Sequence, residues 1–114
     1  MIDIQLQNNE IEVGKLLSGQ FYWTGNKTPK EISVEVRWRT EGRGNVDTET
    51  LYSNSFVGTT SSAFSCTIPA LGPVSYDGQI IQIIWEAIVK VRFPGIFGGI
   101  EKEVKVFRVI PRRT

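Results

Sequence analysis

The side chains that carry out most enzymatic chemistry are scarce in this sequence. It contains no histidine, which excludes an imidazole general base, a Ser–His pair and a histidine-ligated metal. Cys66 is the only cysteine, so an internal disulfide and a zinc site of several cysteines are also excluded. Asp77 is one of three aspartates and stands before a glycine, where a turn explains it. We therefore predict that the protein is not an enzyme and holds no cofactor and no metal.

The remaining candidates for chemistry are one carboxylate and two glycine-containing segments. Glu86 is the one acidic residue in the longest apolar stretch, but a catalytic carboxylate needs a second group and a pocket, and the sequence indicates neither. Gly42-Arg43-Gly44 and Gly98-Gly99 lack the lysine and the following helix of a phosphate-binding loop. We interpret both segments as turns.

The charge of the chain gives no reason to expect a nucleic-acid partner. Thirteen Lys and Arg residues oppose 12 Asp and Glu residues, a formal net charge of +1. Arg37, Arg39 and Arg43 form a local basic stretch beside Trp38, but in an alternating strand Trp38 points away from the arginines and offers them no stacking platform. We expect these arginines to form a solvated face.

The sequence also predicts a cytoplasmic location. The first residues alternate apolar and polar side chains and lack the basic and apolar regions of a signal peptide. No apolar run approaches the roughly 20 residues that cross a bilayer. No polybasic run is present either, so we expect no stable membrane anchoring.

The composition and spacing predict an all-β protein. Val and Ile together number 24, whereas Ala and Leu number 8, and β-branched side chains favour strands over helices. The clearest strand is 31–40, with Ile32, Val34 and Val36 on one face. In 80–93 every odd position is apolar, which sorts the large side chains, Trp85 among them, onto one face of a strand. Turn residues recur at short intervals, so we predict a single domain over 1–114 that is an immunoglobulin-like, two-sheet antiparallel β-sandwich of seven or eight strands.

The other predicted strands are shorter or less regular. In 17–23, Gly19 lies on the apolar side, where it indicates a bulge or a close backbone approach. Residues 46–53 are polar on both sides, which is typical of an edge strand. The apolar positions of 100–110 change phase after Val106, so we predict a bulge there or a strand that passes between the sheets.

Two segments resemble the arrestin-like family of β-sandwiches, which includes arrestins, their shorter relatives and a retromer subunit. Gly14 leads into a strand that carries Gly19 five residues later, as in an early turn of that family. The second and more specific segment has a proline, then Ser75-Tyr76, then Gly78 before the long strand. Over roughly 11–93, the resemblance implies an arrestin-like sandwich and an adaptor role.

The chain also differs from the arrestins. Only one sandwich fits its length, and no lysine pair of the kind that senses receptor phosphate is present. The resemblance therefore does not imply binding of a phosphorylated receptor.

The segment before the long strand has a physical interpretation of its own. Pro69 and Pro73 stop the preceding strand because their φ is fixed. Asp77-Gly78 supplies a turn in which Gly78 is free to take positive φ. We expect Tyr76 to bury its ring and pin a crossover between the sheets.

Two sets of apolar residues are candidates for a partner interface. Ile80, Ile84 and Ile88 fall on the otherwise polar face of the long strand, and each would contribute about 1.5–3 kcal/mol if buried in an interface. Neighbouring strands, the N-terminal segment or long lysine and arginine stems are expected to cover them. Ile96 and Phe97 lie between glycines in a loop that could enter a groove or a membrane surface, but we expect them to fold back and close the end of the sandwich.

The function expected from these features is a non-enzymatic protein-binding or adaptor module that acts through an edge strand or an apolar sheet face. Self-association through the same face is a special case. A structural subunit of a larger assembly is the alternative, and a ligand-binding or hydrolytic domain with a dispersed site is a third.

Overall fold

The long alternating segment of the sequence forms the central strand of the structure, a computed structural model that describes residues 1–42, 46–78 and 81–112. Strand β8, Ile81–Arg92, lies between β4, Glu31–Gly42, and β9, Ile100–Ile110, and is antiparallel to both. Trp85 is fully buried on its inner face. The prediction that this segment is extended with its tryptophan between two layers is confirmed.

Within the described ranges the chain has nine strands and no helix. The remaining strands are β1 Ile2–Leu6, β2 Glu10–Glu12, β3 Leu16–Trp23, β5 Thr48–Phe56, β6 Ser61–Thr67 and β7 Tyr76–Asp77. One sheet has three strands in the order β1-β3-β6, and the other has the order β2-β9-β8-β4-β5 with β7 paired beside β8. No helix in these residues is long and apolar enough to cross a membrane.

The two-sheet β-sandwich predicted from the sequence is confirmed, with two differences of detail. The number of strands exceeds the predicted seven or eight because β2 and β7 have only three and two residues, too few for a periodic pattern. One pairing is parallel, since β2 runs alongside 108–110 of β9 in the same direction.

The core lies between the inner faces of the two sheets. The six-stranded sheet contributes alternate residues of β4 and β8, of which Ile32, Val34 and Val36 are fully buried, as predicted. The three-stranded sheet contributes Leu17 and Phe21 from its middle strand. Because each strand sends every second side chain inward, a single cluster joins both layers.

Gly19 of β3 is a point of close approach, without a bulge. The pairing of β3 with both neighbours is continuous through this residue. A Cβ at Gly19 would lie 2.8 Å from Phe64 Cζ and 2.9 Å from Leu6 Cδ2. The side chains of both flanking strands therefore meet over the glycine.

The change of phase in β9 has a cause other than the one predicted. The ladder with β8 runs without interruption from Ile100 to Phe107, so there is no bulge. Beyond that point β9 leaves β8 and pairs with β2, within the same sheet. Val104 and Val106 face outward and Phe107 faces the core, so both faces of this strand carry apolar side chains.

The connection before β8 is fixed by Trp85 and Ser75, and the predicted role of Tyr76 is wrong. Tyr76 is 54% exposed. The Trp85 indole instead donates a hydrogen bond to the carbonyl of Pro73, at 3.0 Å. Ser75 donates its amide to the Val109 carbonyl, and its hydroxyl accepts the Val109 amide, both at 2.8 Å. Core residues hold this corner because the buried indole needs a partner.

Gly78 also differs from its prediction. Its φ is not among the positive values of the chain. A Cβ at this position would lie 2.8 Å from the carbonyl oxygen of Ile81 and would contact the Tyr76 ring. The glycine is needed here for space, since the next strand passes close to it.

Candidate functional site

Strand β5 is an edge of the six-stranded sheet, as its polar pattern predicts. Within the described residues it pairs only with β4. Its nine residues include one charged side chain, Glu49, and no lysine or proline. Natural edge strands are usually blocked by lysine, proline or inward-pointing charge. A β-bulge is a further way to protect an edge, and it is the one such feature of β5.

The bulge divides β5 into two parts. Arg37 pairs with Thr50 and Val36 with Tyr52, so Leu51 is the extra residue. A bulge increases twist and limits how far a straight partner strand can follow the edge. The part after the bulge, from Tyr52 to Phe56, has regular pairing and carries no charge. This part is the more accessible half of the edge.

The amide groups in this half point away from β4 at alternate residues. Ser55 donates its backbone amide to the side-chain oxygen Oδ1 of Asn54, at 2.9 Å. Since the directions of backbone groups alternate along a strand, the amide of Ser53 also points to the open side. Ser53, Asn54 and Ser55 are exposed. An incoming strand would bond to these amides after displacing the Asn54 side chain.

A groove of about 800 Å³ runs beside this edge. It lies between β5 and the three-stranded sheet, whose edge strand β6 also carries no charged residue. Tyr52, Asn54 and Phe56 line one side, and Ala63 and Phe64 line the other. Uncharged side chains therefore border an open side of the sandwich from both layers.

A buried carboxylate lies on the outer face of the six-stranded sheet. Glu86 is 3% exposed. The Arg37 Nε donates to its Oε1 at 2.8 Å, and the Arg39 Nε donates to its Oε2 at 3.4 Å. A hydrogen bond to Glu41, together with the charge of Glu86, raises the pKa of the Arg39 guanidinium against the opposing effect of burial. The charges of Arg37 and Arg39 balance those of Glu86 and Glu41, and this pairing allows the Glu86 carboxylate to be buried.

Two arginines of the basic stretch in the sequence, Arg37 and Arg39, are the ones that pair with Glu86. Arg37 and Arg39 share the outer face of β4, and Glu86 stands directly opposite Arg37 on β8. The sequence shows three residues on the polar faces of two strands, but it does not show the register that places them together. Arg43 lies outside the described residues.

The three isoleucines of the predicted apolar row occupy different environments. Ile88 is 1% exposed and is flanked in register by Glu35 of β4 and Val104 of β9, so neighbouring strands cover it as expected. Ile84 is half-buried. Ile80 lies outside the described residues. The row therefore does not form a continuous exposed face, although Val106 beside it is exposed.

Ile96 and Phe97 are almost fully exposed, at 95% and 96%. The prediction that they fold back onto the sandwich is wrong. They lie at the tip of the loop between β8 and β9, where the Phe93 amide donates to the Gly99 carbonyl at 3.1 Å and closes the turn. Closure at the base holds the tip away from the core.

A second cleft, of about 610 Å³, opens where β9 diverges from β8. The short strand β7 borders it, with Tyr76 and Asp77, and Arg108 of β9 lies on its other side. The Asp77 carboxylate accepts a hydrogen bond from Gln82 Nε2 at 2.8 Å. No cluster of three or more His, Cys, Asp or Glu residues occurs in the described part of the chain.

The comparisons with known proteins show the fold of this chain. No protein-family model and no curated protein sequence matches this chain. Spo0M, a sporulation control protein from Bacillus subtilis, superposes on 95% of the chain with a TM-score of 0.66 and 15% sequence identity. The chain is a β-sandwich. It spans 48% of the Spo0M chain, about half of that protein's length.

A second solved structure gives the same result. The superoxide reductase neelaredoxin from Ignicoccus hospitalis superposes on 96% of this chain and 80% of its own, with a TM-score of 0.58 and 11% identity. At such identities the likeness concerns the fold alone. The activity named for each protein belongs to that protein.

Proposed function

We propose that this chain is a non-enzymatic protein-binding or adaptor module that takes up an extended segment of a partner at the edge of β5. The observation that carries the proposal is the uncharged half of the edge from Tyr52 to Phe56, with outward-facing amides at Ser53 and Ser55. Main-chain hydrogen bonds along such an edge supply affinity for an added strand.

The groove beside the edge supplies the means of discrimination. Alternate side chains of an added strand would point toward Phe56 and Phe64, and the others would point to solvent. We infer that the preferred partner segment alternates apolar and polar residues and has little charge on its inward side. Its apolar side chains would bury surface that β5 and β6 leave accessible.

We further infer that the sandwich is of the arrestin-like type. The positive φ of Gly14, +83°, supports this assignment because the family's early turn contains a glycine at that place. The crossover before β8, with Pro73 and Ser75 at its centre, gives further support. The free thiol of Cys66 supports a reducing compartment, and we propose the cytoplasm.

The experiment is affinity capture with the wild-type chain and two variants of one edge residue. Ser53→Pro removes an outward amide and places a ring on the edge, whereas Ser53→Ala keeps the amide. We expect the wild type and Ser53→Ala to capture the same stoichiometric partner, and Ser53→Pro to lose it. If Ser53→Pro lowers the fraction folded in far-UV circular dichroism, Ser53→Lys replaces it, since an edge lysine blocks strand addition.

Two results would contradict the proposal. Equal capture of a partner by all variants would show that the edge of β5 is not the site. Recovery of a large assembly of many subunits, unchanged by the edge variants, would favour the alternative that the chain is a structural subunit.

A further inference from the structure

Three loops meet at one end of the sandwich. Arg92 pairs with Glu31, Ile32 with Phe56, and Tyr22 with Ser61, so loops 24–30, 57–60 and 93–99 all lie beyond the same ends of the sheets. We call these residues the loop end.

The loop end carries exposed apolar side chains and positive charge without negative charge. Its sequence contains Lys27 and Lys30 and no Asp or Glu. Val57 is strongly exposed, and Ile96 and Phe97 are nearly as exposed as they would be in an extended chain. Within the described part of the molecule neither lysine forms an ion pair.

The loop that carries Ile96 and Phe97 is built to hold them outward. Gly95 has φ +93° and Gly99 has φ +75°, values that side-chain-bearing residues rarely adopt. The Gly98 amide donates to the Gly95 carbonyl at 3.3 Å across the tip. The two apolar side chains thus project from a hydrogen-bonded turn.

Lys27 lies beside this projection. Its Nζ is 5.3 Å from the centroid of the Phe93 ring, at the base of the same loop. Lys27, Phe93 and Phe97 border one shallow apolar hollow of about 520 Å³. A positive charge is therefore held next to the apolar tip.

We propose that the loop end makes a reversible contact with an anionic lipid bilayer, with Ile96 and Phe97 in the interfacial layer and Lys27 and Lys30 toward the headgroups. Apolar side chains and lysines together are the features that bind a surface of acidic lipids. The side chains of Ile96 and Phe97 project beyond the hydrogen-bonded turn, with glycines and Pro94 next to them in the chain and Lys27 beside the base of the loop. An apolar tip with lysines beside it can enter the interfacial layer of a bilayer while the charges stay at the headgroups.

The test is co-sedimentation with vesicles of phosphatidylcholine with and without phosphatidylserine. The wild type should bind the vesicles that contain phosphatidylserine, and added salt should weaken binding because exposed charges are screened. For Ile96→Ser/Phe97→Ser we expect the lipid concentration for half-maximal binding to rise about tenfold or more, and for Lys27→Gln by a smaller factor.

The matched control is Leu71→Ser. Leu71 is 101% exposed but lies in the loop after β6, at the opposite end of the sandwich. None of these residues is buried, so all variants should keep the far-UV circular dichroism spectrum of the wild type. The control should bind vesicles like the wild type.

Four results would overturn the proposal. These are absence of wild-type binding, equal binding to vesicles without phosphatidylserine, unchanged binding of the double variant, and equal loss in Leu71→Ser. If Ile96→Ser/Phe97→Ser binds vesicles like the wild type but no longer binds a protein partner, the loop tip is a protein-binding site and the proposal is wrong.

Discussion

Glu86 shows how one residue changes the character of a sheet face. The outer face of a sheet that is covered on one side normally carries solvated polar side chains. Here the carboxylate is buried and receives hydrogen bonds from Arg37 and Arg39, while Ile88 beside it on the same strand is also covered. A buried charge is tolerated only when it is paired, so the two arginines are required at this place.

Removing the charge of Glu86 should therefore destabilise the protein. We expect Glu86→Gln to lower the free energy of unfolding by about 1–3 kcal/mol, because it leaves the Arg37 guanidinium without its charged acceptor and Arg39 with Glu41 alone. Urea unfolding followed by far-UV circular dichroism gives the value. Glu41→Gln is the control: it breaks an exposed pair with Arg39, and the change should stay within about 0.5 kcal/mol. Equal losses in both variants would contradict the assignment.

Cys66 provides a second prediction at the scale of one residue. Burial raises the pKa of its thiol from 9.0 to about 11, because desolvation disfavours the thiolate. At pH 8 the thiolate fraction then falls from about one-tenth to about one-thousandth. We expect an aromatic disulfide reagent to react about a hundredfold more slowly with the folded protein than with the protein in urea.

The raised pKa of Cys66 also determines how the stability of the protein changes with pH. The folded state holds the thiol proton more tightly than the unfolded state, so this contribution is complete below pH 9 and is lost as the pH rises toward about 11. Cys66→Ser should show no reaction with the reagent and no such loss. Equal reaction rates in the folded and unfolded wild type would contradict burial of the thiol.

At the scale of the strand, Gly19 allows β3 to lie between two neighbours whose side chains cross over it. We expect Gly19→Ala to destabilise the protein by about 1–3 kcal/mol, because the new methyl group would lie 2.9 Å from the Gln5 carbonyl oxygen as well as against two side chains. Ser65→Ala, an exposed position on β6 of the same sheet, is the control and should have little effect. Thermal unfolding measures both, and a neutral Gly19→Ala would mean that the backbone there yields easily.

The strands that the sequence predicts well are those in which burial imposes a period of two. In β8 the inner row around Trp85 has an unambiguous alternation, and in β4 the row from Ile32 to Val36 is equally clear. The edge position of β5 was also predictable, since a strand that is polar on both sides buries little. The alternation of apolar and polar residues shows which face of each strand is buried, and this information was sufficient to predict the two-sheet sandwich.

Contacts between distant segments could not be predicted in this way. The role of Trp85 at Pro73 depends on a turn 12 residues earlier, and the sequence favoured Tyr76 because its ring and hydroxyl fit the same purpose. The exposure of Phe97 depends on the hydrogen bond that closes its loop. The register of β4 on β8 and the folding of loops are set by the whole molecule, and a local pattern does not contain them.

At the scale of the whole molecule, the two sheets share one core. The six-stranded sheet contributes the fully buried Trp85 and the three-stranded sheet the fully buried Phe21, and both belong to one cluster. The apolar inner face of each sheet must be buried against the other layer, so each layer depends on the other. The chain should therefore unfold as one cooperative unit.

We expect the urea transitions followed by tryptophan fluorescence and by far-UV circular dichroism to coincide, as they do for a two-state domain. Phe21→Ala should lower the free energy of unfolding by about 3–5 kcal/mol and move both transitions together. Fluorescence follows both layers, because Trp23 lies in the small sheet and Trp38 and Trp85 lie in the large one. Tyr22→Ala, its half-exposed neighbour on the outer face, is the matched control and should shift them far less. If the unfolding of Phe21→Ala separates into two steps, the six-stranded sheet is stable without the three-stranded sheet. The β6 side of the groove beside β5 could then unfold independently of β5.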